Sequence, residues 1–247
     1  MNVRNNYKHT IYACYIGYIT QAIVNNFAPL LFLTFQSTFK LSLSMVGLLV
    51  TINFVTQLIT DLIAAKVVDK IGYRCSMIVG HICAALGLVG LGVFPGLFDN
   101  PYVGLCLAVI FYAIGGGVNE VLVSPIVEAC PTDDKVAAMS LLHSFYCWGS
   151  VLVVFLSTIL FKTIGIDNWR MISCLWALVP LFNVFYFSFV PINTLVEEDE
   201  RMSIKQLMCS KVFWVLALLM VCSGASELAM SQWASAFAES GLKVSKT

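Results

Sequence analysis

Charged residues are scarce in this chain: Asp, Glu, Lys and Arg make up 11% of its 247 residues, against roughly a quarter in a soluble domain. The 14 acidic and 14 basic side chains cancel, and no basic stripe stands out, which argues against a nucleic-acid partner. Paired cysteines are lacking as well. The nine cysteines, an odd number, include no C-x-x-C, and Cys83, Cys106, Cys147 and Cys222 sit inside apolar runs. Packing is their expected role, with no disulfide and no metal site. There is no H-E-x-x-H and no Ser/His/Asp arrangement of defensible spacing. No catalytic residue or cofactor is therefore assigned, and the chain is read as a non-enzyme. A cleavable signal peptide is not expected either. The first apolar run, after Lys8, is too long, contains Asn25 and Asn26, and has no small-residue cleavage site.

What the chain has is apolar surface: 59% hydrophobic residues and a mean hydropathy of +0.86. The expected fold class is an all-α membrane protein. Seven spans can be marked, at about 10–36, 43–65, 75–95, 102–129, 136–162, 170–190 and 211–238, each long enough for a hydrocarbon core of ~30 Å. The longest connection, 191–210, carries Pro191 and the acidic run Glu197-Glu198-Asp199-Glu200. The expected domains are a six-helix bundle (1–190), a cytoplasmic linker (191–210) and the first span of a truncated second bundle (211–247). Basic residues orient the chain. With the N-terminus cytoplasmic, nine of the 14 lie inside, among them Lys66, Lys70, Arg74 and Lys135.

An internal echo predicts a three-plus-three inverted repeat within the first six spans. Asn25-Asn26 precede Pro29 in span one, and Asn119-Glu120 precede Pro125 in span four. Both polar pairs occupy the first span of their three.

Polar residues inside the spans carry the chemistry. A carboxylate at mid-membrane costs at least ~2.5 kcal/mol and survives beside a partner or a watery cavity. Glu120, within Gly115-Gly116-Gly117-Val118-Asn119-Glu120, is the first such residue. Glu227, halfway along span seven, is the second, and either could act as a reversible proton site. His143 in span five lies at a similar depth by helical rise. It is the expected partner of Glu120 for holding or relaying a proton. Asn53, Gln57 and Asp61 recur every four residues and form one polar ridge of span two, open to both pathway lining and helix packing. Asp61 lies near the cytoplasmic end, where a gate or loop role is the alternative. Gln21 and Asn25 share a face of span one with Asn26 beside them, suited to hydroxyl groups or to neighbouring helices. Trp148 and Trp233 could offer flat faces to a sugar ring, with an interfacial or packing role as the alternative.

The loop Asp69-Lys70-Ile71-Gly72-Tyr73-Arg74 resembles the major facilitator superfamily signature G-x-x-x-D-[RK]-x-G-[RK]-[RK]. It departs at Ala65, where Gly is usual, and at Tyr73, where a basic residue is usual. Glu120 and Pro125 are similar to the Glu-x-x-x-x-Pro pattern of the fucose–proton symporter branch. Leu142-His143-Ser144-Phe145 with Gly149 resembles its fifth span, His143 standing where Gln is common. Gly224-x-x-Glu227 with Trp233 looks like the seventh span of sugar-carrying relatives. The resemblance implies a secondary transporter in the plasma membrane that moves a small polar solute, a sugar, by alternating access with proton coupling. Sodium is the alternative ion. Glu120, His143, Glu227, Asn25, Asn26, Asn53, Gln57 and Trp233 would contact solute or proton, and Asp69, Gly72 and Arg74 would form a gating loop. The missing C-terminal helices would be needed for transport. A substrate sensor or assembly subunit on the same fold is the alternative function, and an intramembrane enzyme the more remote one.

Overall fold

The structure, a computed structural model, describes residues 3–193 and 204–243. The described helices are α1 (Tyr7–Leu30), α2 (Phe32–Phe39), α3 (Leu43–Ile71), α4 (Tyr73–Val93), α5 (Pro101–Ala129), α6 (Lys135–Ile164), α7 (Trp169–Phe189), α8 (Ile204–Cys209) and α9 (Lys211–Ser240). Six of them are long and apolar enough to cross a membrane, and up to seven spans result if α1 and α2, bent by 48°, count as one. The all-α membrane fold expected from the sequence is what forms. The acidic run 197–200 lies outside the described residues.

Local sequence explains where the helices begin and break. Asn6, Ser42, Asn100, Asp134 and Ser210 each accept a hydrogen bond at the start of the helix that follows, satisfying an amide that has no carbonyl four residues back. Pro101 opens α5, a position where a missing N–H costs nothing. Pro29 lies in the last turn of α1, and the chain bends at Leu31. A proline cannot donate to the residue four back, so the Asn25 carbonyl loses its helical partner.

The two halves of the six-helix bundle repeat one design. The second and third long helices of each half meet at a glycine, Gly72 between α3 and α4 and Gly165 between α6 and α7, both at φ 86 and ψ 146. A positive φ of this size suits glycine and strains other residues.

Small residues let the helices approach closely, as is usual where lipid supplies no hydrophobic drive between helices. A Cβ added at Gly87 of α4 would come within 2.2 Å of the Tyr112 amide on α5, and one at Gly115 within 2.5 Å of the Gly80 carbonyl. The apolar interior forms two clusters. One gathers Ile23, Phe27 and Phe35 with Val109 and Trp169; the other gathers Cys14, Tyr18, Met77, Leu122 and Phe187. Gln21 lies between the two clusters along α1, and Gly115-Gly116-Gly117 lie between them along α5. The polar side chains collect at that junction.

Candidate functional site: a polar cavity at the junction of five helices

Three consecutive glycines set α5 against three neighbours. Gly115 faces α4. A Cβ at Gly116 would meet Gln21 Oε1 of α1 at 3.1 Å, and one at Gly117 would meet Asp61 Oδ1 and the Gln57 carbonyl of α3 at 2.8 and 2.9 Å. One turn further along α5, Glu120 enters a cavity of about 400 Å3. This falls within the ~300–1,000 Å3 of small-molecule sites. Its walls come from α1 (Tyr18, Gln21, Asn25), α3 (Gln57, Asp61), α5 (Glu120), α6 (His143, Tyr146) and α9 (Gly224, Glu227), with Phe54, Leu58, Met220 and Leu228 as apolar lining.

A hydrogen-bond chain runs along one wall. Gln21 Nε2 donates to Glu120 Oε2 (3.2 Å) and to Gln57 Oε1 (3.3 Å). Gln57 Nε2 donates to Asn25 Oδ1 (2.9 Å) and Asn53 Oδ1 (3.0 Å). Asn25 Nδ2 reaches the Tyr146 hydroxyl at 3.5 Å. Tyr18 pairs its hydroxyl with Ser124 Oγ at 2.7 Å, and its ring centroid lies 5.5 Å from that of His143. Gln21, Asn25, Asn53 and Gln57 are all at most 5% exposed, so the amides are held in place by one another, as an intramembrane polar group must be.

The structure thus brings Glu120, His143, Glu227, Asn25 and Gln57 to one cavity. Glu120 bonds Gln21, whereas its expected partner His143 lines the same space beside Tyr18. Asn53 stands one step back, supporting Gln57. Asn26 turns away from the cavity: its amide bonds the Ala22 carbonyl and Ser150 Oγ of α6. This is a helix-packing contact, the second of the two roles that the sequence leaves open for this face. Trp233 also lies elsewhere, 5.6 Å from the Phe32 ring and against Gly47, where it docks α9 onto α2 and α3. Beside it Gln232 Nε2 donates at 2.7 Å to the Asn25 carbonyl that Pro29 leaves open.

In the loop region, Gly72 makes the tight turn and Arg74 caps another helix, its guanidinium donating to the carbonyls of Phe187 (2.9 Å) and Ser188 (3.0 Å) at the end of α7. A cation suits that negative end of a helix. The Asp69 side chain lies outside the described part.

Gln21 and Asp61, read from the sequence as polar faces of their spans, stand in the wall, and so do Tyr18 and Tyr146, which the sequence reading passed over. The signals were present. Tyr18 precedes Gln21 by three residues and Tyr146 follows His143 by three, which is one face of a helix. Asp61 completes the Asn53–Gln57 ridge. Among the described residues no three His, Cys, Asp or Glu side chains come together as metal ligands.

Apolar helices long enough to cross a membrane thus enclose a polar cavity, an arrangement that transporters use. The sequence matches the Major Facilitator Superfamily over residues 14–247, and the chain belongs to that family. Its fold is similar to solved structures of xylose symporters. The partially occluded inward-open conformation of the xylose transporter XylE from E. coli superposes with a TM-score of 0.69 at 14% identity, covering 94% of this chain and 59% of that one. The proton:xylose symporter XylE bound to 6-bromo-6-deoxy-D-glucose gives 0.67 at 14%, covering 75% and 45%. A crystal structure of a D-xylose–proton symporter gives 0.62 at 18%, covering 88% and 54%. The chain spans about half the length of these structures, and at such identities the likeness is one of fold. No curated protein sequence matches it significantly.

Proposed function

We propose that this chain carries the solute-binding half of a secondary transporter that moves a small polar solute, a sugar, by alternating access in symport with protons. The observation that carries the reading is the cavity itself: a carboxylate, Glu120, reaches it from inside an apolar span and is held by a buried amide chain. Glu120 takes the proton or the solute, His143 and Glu227 face it from α6 and α9, and Asn25 and Gln57 present the first polar wall. Arg74 and Gly72, with Asp69, bias the state closed towards the cytoplasm by tying α4 to the end of α7. The N-terminus is cytoplasmic and the membrane is the plasma membrane. Residues 1–190 form the bundle, 191–210 the linker and 211–247 the first span of the second bundle, whose further helices complete the opposite wall.

The neighbouring structures support the choice of sugar and proton, since their own names specify xylose and protons. Similarity of Glu120, Pro125 and the His143–Gly149 segment to the fucose–proton symporter branch points the same way.

The test is uptake of labelled hexoses into proteoliposomes holding the longest polypeptide that contains this sequence, with an imposed pH gradient. Accumulation driven by the gradient is the expected result, and Glu120→Gln should abolish it while leaving solute exchange. Uptake indifferent to the gradient would replace protons by sodium or by facilitated diffusion. Tight binding without flux would favour a sensor on the same fold.

A further inference from the structure

The donors and acceptors around the cavity are unequal. An amide nitrogen carries two N–H groups, and both of Gln21 are spent on Gln57 and Glu120, both of Gln57 on Asn25 and Asn53. One of the two on Asn25 goes to Tyr146. What faces the open space is therefore dominated by acceptors. Asp61, Glu120 and Glu227 line it from three different helices, and its lining includes no Lys or Arg. Behind the wall, two further acceptors have no hydrogen-bond partner: Asp61 Oδ1 and Gln21 Oε1, both buried against α5 rather than open to the cavity. They lie over the consecutive glycines Gly117 and Gly116.

Resting on the reading of this cavity as the transport site, we propose that the solute it selects carries a protonated amine: an aminohexose or a cation of that size, in preference to a neutral sugar. A neutral hexose brings hydroxyls that need donors and acceptors in similar number. An ammonium brings three donors, no acceptor and a positive charge, which matches a wall with three carboxylates and no fixed cation. The aromatic faces of Tyr18, Tyr146 and Phe54 are compatible with the same charge. The carboxylates are too dispersed to close round one bare ion, since no group of three potential metal ligands forms among the described residues. A cavity of about 400 Å3 instead leaves room for a solute with a ring of its own. The amine sits towards Asp61 and Glu120, and the rest of the solute extends towards Tyr146 and Glu227. The groups whose protonation alters this balance are Asp61 on α3, Glu120 on α5, His143 on α6 and Glu227 on α9, with the hydroxyls of Tyr18 and Tyr146.

The deciding experiment is equilibrium binding of labelled glucosamine, glucose and N-acetylglucosamine, at neutral pH, to the longest polypeptide that contains this sequence, purified into lipid nanodiscs. Glucosamine replaces one hydroxyl of glucose with an ammonium, and the N-acetyl form keeps the nitrogen without its charge. Glucosamine should bind at least about tenfold more tightly than either neutral sugar, a difference of ~1.4 kcal/mol. Asp61→Asn should remove most of that preference. Glu227→Gln, on an exposed position of α9 where folding is not at stake, should remove part of it. Equal or tighter binding of glucose overturns the inference and leaves the sugar-transport reading standing. Absence of binding by all three sugars overturns both.

Discussion

Two clusters of polar side chains are buried in this bundle, and they differ in what surrounds them. Around His81, wholly buried in α4, Nδ1 meets the Met77 carbonyl at 2.8 Å and Nε2 meets Asn183 Nδ2 at 2.8 Å. A carbonyl only accepts, so the proton sits on Nδ1 and Nε2 accepts from Asn183. Asn183 spends its other N–H on the Ala13 carbonyl at 3.0 Å. The result is a closed joint of α1, α4 and α7. Around Glu120 the amides are equally buried, yet the chain they form ends at a cavity of about 400 Å3. Polarity inside an apolar segment marks only a group that must be satisfied. Open space at the end of the chain distinguishes a site from a joint, and His143 and His81 illustrate the two outcomes.

The largest effect is expected where the cavity wall depends on a missing side chain. Gly117→Ala would place a Cβ 2.8 Å from Asp61 Oδ1 and 2.9 Å from both the Gln57 carbonyl and Thr60 Cβ. Backbone cannot yield as a flexible side chain does, so α3 must shift from α5, at a cost of about 1–3 kcal/mol. Solute affinity in nanodiscs should fall at least about tenfold. At Gly224 on the opposite wall, an added Cβ meets nothing within 4 Å, and the melting temperature of Gly224→Ala should match the parent. Retained affinity in Gly117→Ala would mean that the Asp61–Gly117 contact does not shape the site.

A loss of stability without a loss of affinity sharpens the other side of the comparison. Asn183→Ala leaves His81 Nε2 and the Ala13 carbonyl without their donor, which costs about 1–3 kcal/mol for buried groups. Thermal melting in detergent should register the loss. Solute affinity of the folded fraction should stay unchanged, because the joint does not open on the cavity. A fall in affinity at unchanged stability would show instead that the joint is coupled to the site.

The spans were legible because hydropathy and capping residues are local: Asn100-Pro101 and Asp134 announce helix starts that need no tertiary context. The repeat was legible in the paired positions of Asn25–Pro29 and Asn119–Pro125, and the structure adds the matching turns at Gly72 and Gly165. Glu120 was legible because an uncompensated carboxylate is conspicuous in an apolar run. The direction of a side chain was not. Asn25 and Asn26 are adjacent in sequence and equal in chemistry, yet a rotation of about 100° per helical residue sends one to the cavity and the other to Ser150. For Trp233 the sequence leaves a sugar-facing and a packing role open, and its ring packs against Phe32. For Asp61 the sequence leaves pathway lining, packing and a gate open, and the close approach that Gly117 permits brings it to the cavity wall.

Gln232 lies between the two kinds of cluster, and its effect should be the smallest. It is 4% exposed, and its Nε2 donates to the Asn25 carbonyl, the one acceptor that Pro29 deprives of a helical partner. Helix-to-helix hydrogen bonds in membranes average about 0.6 kcal/mol, with a maximum near ~1.7 kcal/mol, so Gln232→Leu should lower stability by about that amount. The cause can be isolated with Pro29→Ala, which restores an N–H at position 29 and lets it bond the Asn25 carbonyl within α1. In that background Gln232→Leu should cost almost nothing, and a double-mutant cycle on melting free energies reads the difference directly. Equal costs in both backgrounds would mean that Gln232 holds α9 by packing alone. Unequal costs would identify the proline-freed carbonyl as the point where α9 is fastened to the wall of the cavity.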